Sequence, residues 1–122
     1  MQFPKPGSPV RGSKSGQPLM ALFDLLGRHW AMGILWNLCA DDLMTFGNLE
    51  KKCETITPST LSKRLKELQA AGFIEKEGRH YRATALGRNL HTTLVPLSEL
   101  SVAWSEALEG RGLADGKAIL EK

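Results

Sequence analysis

Ser59, Thr60, Ser62, Lys63 and Lys66 fall within eight positions and share one side of a helical repeat, with Arg64 to one side of them. Their chemistry is recognition. Hydroxyls exchange hydrogen bonds with base edges and phosphate oxygens, and cationic side chains attract the DNA backbone. No set of reacting groups accompanies them. The sequence holds no metal-ligand cluster, no glycine-rich phosphate loop and no nucleophile–base pair carried by a motif, and His29, His80 and His91 fall in different predicted elements. The expectation is therefore a binding protein, not an enzyme, with no catalytic residue, cofactor or metal. Taken alone, the same pattern also fits a solvated amphipathic helix, so its neighbours decide.

The positioning element is residues 57–72, TPSTLSKRLKELQAAG. Thr57 is suited to cap a helix, Pro58 to its first position, and Gly72 to the left-handed position past its end. Leu61, Leu65 and Leu68 form one apolar stripe, which turns the polar side chains outward. Upstream, Thr45 is placed to cap a helix over 46–53 with Phe46, Leu49 and Cys53 inward. Residues 54–56 make a short connector, and the two helices together read as a helix-turn-helix. Downstream, residues 73–77 and 80–83 read as two strands joined by a turn at Gly78 and Arg79. A lone short hairpin is marginal, so it must lean on the helices as a wing. Its tip presents Arg79 and His80, with Lys76 and Arg82 nearby, where a basic tip reaches the adjacent minor groove or its phosphates. A lone exposed histidine is not read as a sensor or ligand.

Charge supports this placement. The net charge is only +3, but residues 57–82 hold six basic side chains against three acidic ones. Arg64, Lys66 and Lys76 are expected to act mainly on phosphates, a strongly salt-dependent attraction, and Ser59, Thr60, Ser62 and Lys63 on base edges.

The remaining elements are helical. Residues 19–26 form a short apolar helix, Gly27 allows a turn, and 30–39 form the next helix with Ala31, Ile34, Leu35 and Leu38 on one face. Trp30 is expected in the core. Thr84 is placed to cap a long last helix in which Leu86, Leu90, Leu94, Leu97, Leu100, Trp104 and Leu108 recur at helical steps. Pro96 kinks that helix or ends it. The stripe outruns what a small domain covers by itself. The simplest partner is a second copy, through the same stripe or through Leu19, Leu22 and Phe23; the alternative is a fold-back over the chain's own core.

At 122 residues, 42% apolar and 24% charged, the chain is sized for one domain. We read 1–18 as a flexible tail, 19–109 as a winged helix-turn-helix domain with terminal dimerisation helices, and 110–122 as a second flexible tail. The first tail holds four of the six prolines and three basic residues, Lys5, Arg11 and Lys14, which are free to touch phosphates. No run is long and apolar enough for a membrane span, and the N-terminus lacks the apolar region of a secretory signal. Cys39 and Cys53 form no CxxC and read as small core hydrophobes. Together these features point to the cytoplasm.

Three segments, LFDLLGRHW at 22–30, TFGNLEKKCETITPSTLSKRLKELQAAGFIEK at 45–76 and YRATALGRNL at 81–90, resemble the HxlR-type winged helix-turn-helix transcriptional regulators of bacteria, relatives of the MarR group. The resemblance implies a mainly α fold with a small β-hairpin wing. It implies a homodimer built from the terminal helices, with two recognition helices in successive major grooves of a near-palindromic operator. By position, Ser59, Thr60, Ser62, Lys63 and Arg64 correspond to the family's DNA-facing residues, and Arg79 to its wing. Many members carry a cysteine before the proline that precedes the first helix; here Gln17 stands before Pro18. The wing is also short. The rival to an operator-reading regulator is a winged-helix protein-interaction or architectural module without specific DNA readout. An apolar cavity between the dimer helices and the winged domain could hold a small-molecule effector, with Trp30, Trp36 or Trp104 nearby, although those tryptophans are expected first as core or interface residues.

Overall fold

Pro18 opens the first helix, α1 (Pro18–Leu26), without a side-chain cap. A short loop leads to α2 (Ala31–Ala40), then β1 (Met44–Thr45), α3 (Phe46–Lys52), α4 (Pro58–Ala70), β2 (Ile74–Glu77), β3 (His80–Ala83) and α5 (Ala85–Gly110). The structure, a computed structural model, describes residues 3–110. It divides into two units, Met1–Leu90 and His91–Lys122, with α5 passing through the boundary.

In the first unit the apolar stripes meet as their spacing requires. Ile34, Leu35 and Leu38 of α2, Leu49 of α3, and Leu61, Leu65 and Leu68 of α4 are fully buried. Burying each such side chain is worth about 1.5–3 kcal/mol, and this packing fixes which face of α4 remains outside. Both helices of the helix-turn-helix are capped. Thr45 and Asn48 exchange side-chain and backbone hydrogen bonds at 3.1 Å, a capping box. The Thr57 hydroxyl accepts the Thr60 amide at 3.1 Å.

The hairpin has the expected strands and turn, with Gly78 at φ +62°. Sequence reading missed β1, whose two residues pair antiparallel with β3, Met44 opposite Tyr81. The wing is thus a three-stranded sheet in the order β1-β3-β2, anchored beside α3. Two residues carry no periodicity, which is why β1 left no sequence signal.

α5 begins on a tight seat. The Thr84 hydroxyl accepts the Gly87 amide and donates to the Gly72 carbonyl at 2.7 Å. A Cβ on Gly87 would stand 2.0 Å from the Phe73 carbonyl oxygen, so only glycine fits there.

Two expectations need correction, and one choice is decided. The segment before α1, expected as a loose tail, forms hydrogen-bonded turns: Gly7 donates to the Gly16 carbonyl, and Val10 and Ser13 pair with each other. Pro4 is buried, and Arg11 is bound to Asp24 of α1. Trp30 does not lie in the core. It is half-buried ahead of α2 in a left-handed conformation, φ 74°, which is costly for a large side chain. Of the two alternatives for Pro96, ending the last helix is excluded: the helix runs through it to Gly110. Apart from Gly110, the C-terminal tail expected over 110–122 lies outside the described residues.

Within the second unit, Leu97, Leu100 and Trp104 are 54%, 61% and 64% exposed, and Leu94 and Leu108 are half-buried. In the first unit Leu19 and Phe23 of α1 are also exposed and Leu22 is half-buried.

Candidate DNA interface

Helix α4 presents Ser59, Lys63 and Lys66 to solvent, with Thr60 and Ser62 half-buried beside them. The Thr60 hydroxyl accepts a hydrogen bond from Thr57 at 3.0 Å and keeps its own proton for another acceptor. Among the described residues, Lys63 and Lys66 enter no ion pair, so their charge projects outward.

Arg64 behaves differently from the cation predicted beside them. Its Nε donates to the His29 carbonyl at 2.8 Å, and its Nη1 donates to Glu67 at 2.8 Å. The other oxygen of Glu67 accepts Arg28 at 2.5 Å. Arg28 also reaches Asp24 at 3.6 Å, and Asp24 in turn holds Arg11 at 3.0 Å. The Asp24 and Glu67 side chains are only 3% and 5% exposed. Two buried carboxylates and three guanidinium groups therefore tie the N-terminal turn, α1, the α1–α2 loop and α4 together. Arg64 thus holds α4 against that loop through its Nε and Nη1. Sequence reading counted Glu67 as a charge to subtract from the local field; the (i, i+3) spacing of Arg64 and Glu67 was the available signal for a pair.

The wing divides in the same way. Lys76, Arg79 and His80 are exposed, with the Lys76 ammonium 5.4 Å from the centre of the Tyr81 ring. Arg79 sits at the turn and enters no ion pair among the described residues. Arg82 is engaged across the strands, to Glu75 at 3.0 Å and Glu77 at 3.1 Å. The Glu75 hydrogen bond, followed by the fields of Glu77 and Glu75, pushes the Arg82 pKa further up. Its charge is matched within the sheet, so it adds little to the outward field.

An apolar cleft lies within the first unit. Its volume is 270 Å³, and it is lined by Phe3, Pro4, Pro18, Leu22, Leu25 and Phe73 among others. Cys39 is half-buried and Cys53 buried; desolvation raises both thiol pKa values, with the Arg88 charge partly opposing it at Cys39.

Two helices joined by a tight turn, an outward polar face on the second and a basic hairpin beside it define a winged helix-turn-helix DNA-binding transcriptional regulator. The chain belongs to the HxlR-like helix-turn-helix family, whose model matches residues 25–109. It is 29% identical over 104 residues to the helix-turn-helix-type transcriptional regulator YybR of Bacillus subtilis, covering 80% of this chain and 82% of that protein. It is 33% identical over 100 residues to YdzF, another such regulator of the same bacterium, covering 76% and 88%. Among solved structures, quinone-bound YodB of B. subtilis superposes with a TM-score of 0.61 at 26% identity, covering 73% of this chain and 96% of that one. These relatives are transcriptional regulators. Among the described residues no helix is long and apolar enough to cross a membrane.

Proposed function

We propose that this chain acts in the cytoplasm as a homodimer that reads a near-palindromic operator in double-stranded DNA. The observation that carries this reading is the outward face of α4, where Ser59 and Lys63 are exposed and Thr60 and Ser62 half-buried beside them, with hydrogen-bonding groups available. These side chains reach base edges, and Lys66, Lys76, Arg79 and His80 engage phosphates or the adjacent groove. Arg64 and Arg82 act indirectly, by holding α4 and the wing in place.

Dimerisation is supported by the unpartnered Leu97, Leu100 and Trp104 on α5, joined by Leu94 and Leu108, and by Leu19, Leu22 and Phe23 on α1. Apolar side chains at this density cost solvation free energy until a partner covers them. A second copy supplies two α4 helices about one DNA turn apart, which matches a two-fold operator.

A small apolar effector also fits the reading. The 270 Å³ cleft beneath the N-terminal turn is close to the lower end of ligand-pocket sizes, about 300 Å³. A ligand there would touch both α1 and Phe73, which directly precedes β2 of the wing.

The test is selection from random duplex DNA by the purified chain, followed by titration of the recovered sequence against a scrambled control. An inverted repeat bound by a dimer at least about a hundredfold more tightly than the control is expected. Weak binding with no enriched motif, with or without apolar ligands, would instead fit an architectural or protein-contact module.

A further inference from the structure

Beside the flank of α4 lies an open cleft of 720 Å³ lined by the cations Arg11, Arg28, Lys63 and Arg64 together with Gly27 and His29, with Glu67 the one carboxylate. It brings together the N-terminal turn, the α1–α2 loop and α4, all within the first unit. The charges around it do not cancel. Four cations face two carboxylates, Asp24 and Glu67, and both carboxylates are buried while Arg11 and Lys63 reach solvent. The field at the mouth of the cleft is therefore positive.

Arg11 is the exposed member of the ion-pair chain, with its side chain 68% accessible against 3% for Asp24. Its backbone amide and its Nε both bind the Asp24 carboxylate, and its Nη2 reaches the Asp24 carbonyl at 3.4 Å. This fixes the stem and the inner edge of the guanidinium. Nη1 has no partner among the described residues and is left for an incoming acceptor. His29 lines the same cleft and has anchors of its own: its carbonyl holds Arg64, and its ring packs edge-on against Trp30 at 5.3 Å. The left-handed backbone at Trp30 supplies the sharp bend that leaves the exposed His29 on the surface.

Lys63 belongs both to this lining and to the outward face of α4. A helix lying in a major groove has phosphate backbone along its flanks. We infer that this cleft seats a phosphodiester of the DNA backbone, with Arg11 and His29 as its ligands and Lys63 at the rim joining it to the base-reading face. The inference rests on the DNA-binding reading above and extends the contact surface to the N-terminal turn.

The test compares wild type, Arg11→Gln and Arg11→Lys by titration with operator and random duplexes over a range of salt. Arg11→Gln is expected to weaken binding to both duplexes alike. It should lower the slope of log affinity against log salt by about one per protomer. Arg11→Lys keeps the charge and should restore the slope. A duplex with a single uncharged methylphosphonate linkage at the contacted position should weaken wild type but not Arg11→Gln.

The opposite results are equally readable. An unchanged slope with a lowered melting temperature would make Arg11 a purely structural partner of Asp24 and overturn the inference while leaving the regulator reading intact. Stabilisation of wild type but not Arg11→Gln by millimolar inorganic phosphate, with no change in DNA slope, would assign the cleft to a free anion and overturn it too. Failure of wild type to bind any duplex would overturn both readings.

Discussion

Arg64 and Glu67 bind each other at 2.8 Å one turn apart on the recognition helix, with both side chains largely removed from water. Glu67 also receives Arg28, so a single carboxylate holds the helix and the α1–α2 loop in register. Removing one member of a buried ion set strands the others, at about 3–5 kcal/mol. Glu67→Ala leaves two guanidinium groups facing each other without their shared anion. We expect a loss in that range by urea denaturation. A loss under about 1 kcal/mol would place the set with solvent-screened surface pairs.

Lys63 and Arg64 are adjacent cations with opposite assignments. Lys63→Ala should cost about 1–3 kcal/mol of discrimination at one operator position, because a base contact carries sequence information. Arg64→Gln should lower stability yet leave the salt slope of DNA binding unchanged, because its charge is used internally. Operator-variant titrations at several salt concentrations separate the two. Equal loss on specific and random DNA for Lys63→Ala would remove its base-reading role, and a slope lowered by Arg64→Gln would return Arg64 to the phosphate contacts.

The helices of this domain were legible because each carries a local signal. Thr57, Pro58, the leucines of α4 and Gly72 announce one element within sixteen positions, and all four features hold in the structure. The hairpin was legible from Gly78 in the same way. What stayed hidden depends on residues far apart in the chain. Arg28 and Glu67 are 39 positions apart, and Arg11 and Asp24 are 13 apart, so no window of sequence pairs them. The internal partners of Arg64 and Arg82 stayed out of view in the same way. A cation's type is visible in the sequence, but whether its charge is already taken depends on which carboxylate the fold delivers.

Gly87 is a position where a single methyl group is expected to disrupt the domain. Its missing side chain lets the first turn of α5 lie on the Phe73 carbonyl, 2.0 Å from where a Cβ would be. Gly87→Ala must push α5 away and break the Thr84 hydrogen bonds to Gly72 and Gly87. The helix-propensity gain of alanine, about 1 kcal/mol, is smaller than the cost of overpacking, about 1–3 kcal/mol, and of the lost hydrogen bonds, about 1 kcal/mol each. A lowered melting temperature is expected; an unchanged or raised one would mean that the seat relaxes freely.

Burial raises the Cys53 thiol pKa above the ordinary value of 9.0. Above that pH the unfolded chain sheds a proton that the folded chain keeps, so the stability of the fold falls as pH rises. Below it the contribution is fully present. The wild type should therefore lose stability more steeply than Cys53→Ala as pH rises past about 9, whatever the variant costs in packing. A thiol kept protonated in this way is also a poor nucleophile, so the native chain should react slowly with Ellman's reagent at neutral pH and quickly once unfolded. Parallel pH profiles for the two proteins would remove the desolvation argument.

Trp104 and Leu100 offer the sharpest separation between dimerisation and DNA chemistry. Both are more than half exposed, and neither lies in the unit that carries α4 and the wing. An aspartate in place of Trp104 and a glutamate in place of Leu100 put charge on the proposed interface without touching a DNA-facing residue. Sedimentation equilibrium should show Leu100→Glu/Trp104→Asp as a monomer where wild type is a dimer. The winged unit should stay folded, because its core residues are untouched. Linking two half-site contacts raises affinity by about 10²–10⁴ through effective concentration, so operator affinity should fall by a factor in that range. Binding to a single half-site should stay near the wild-type value. A variant that remains dimeric would move the interface away from this stripe of α5, and a monomer with full operator affinity would remove the two-fold operator from the proposed function.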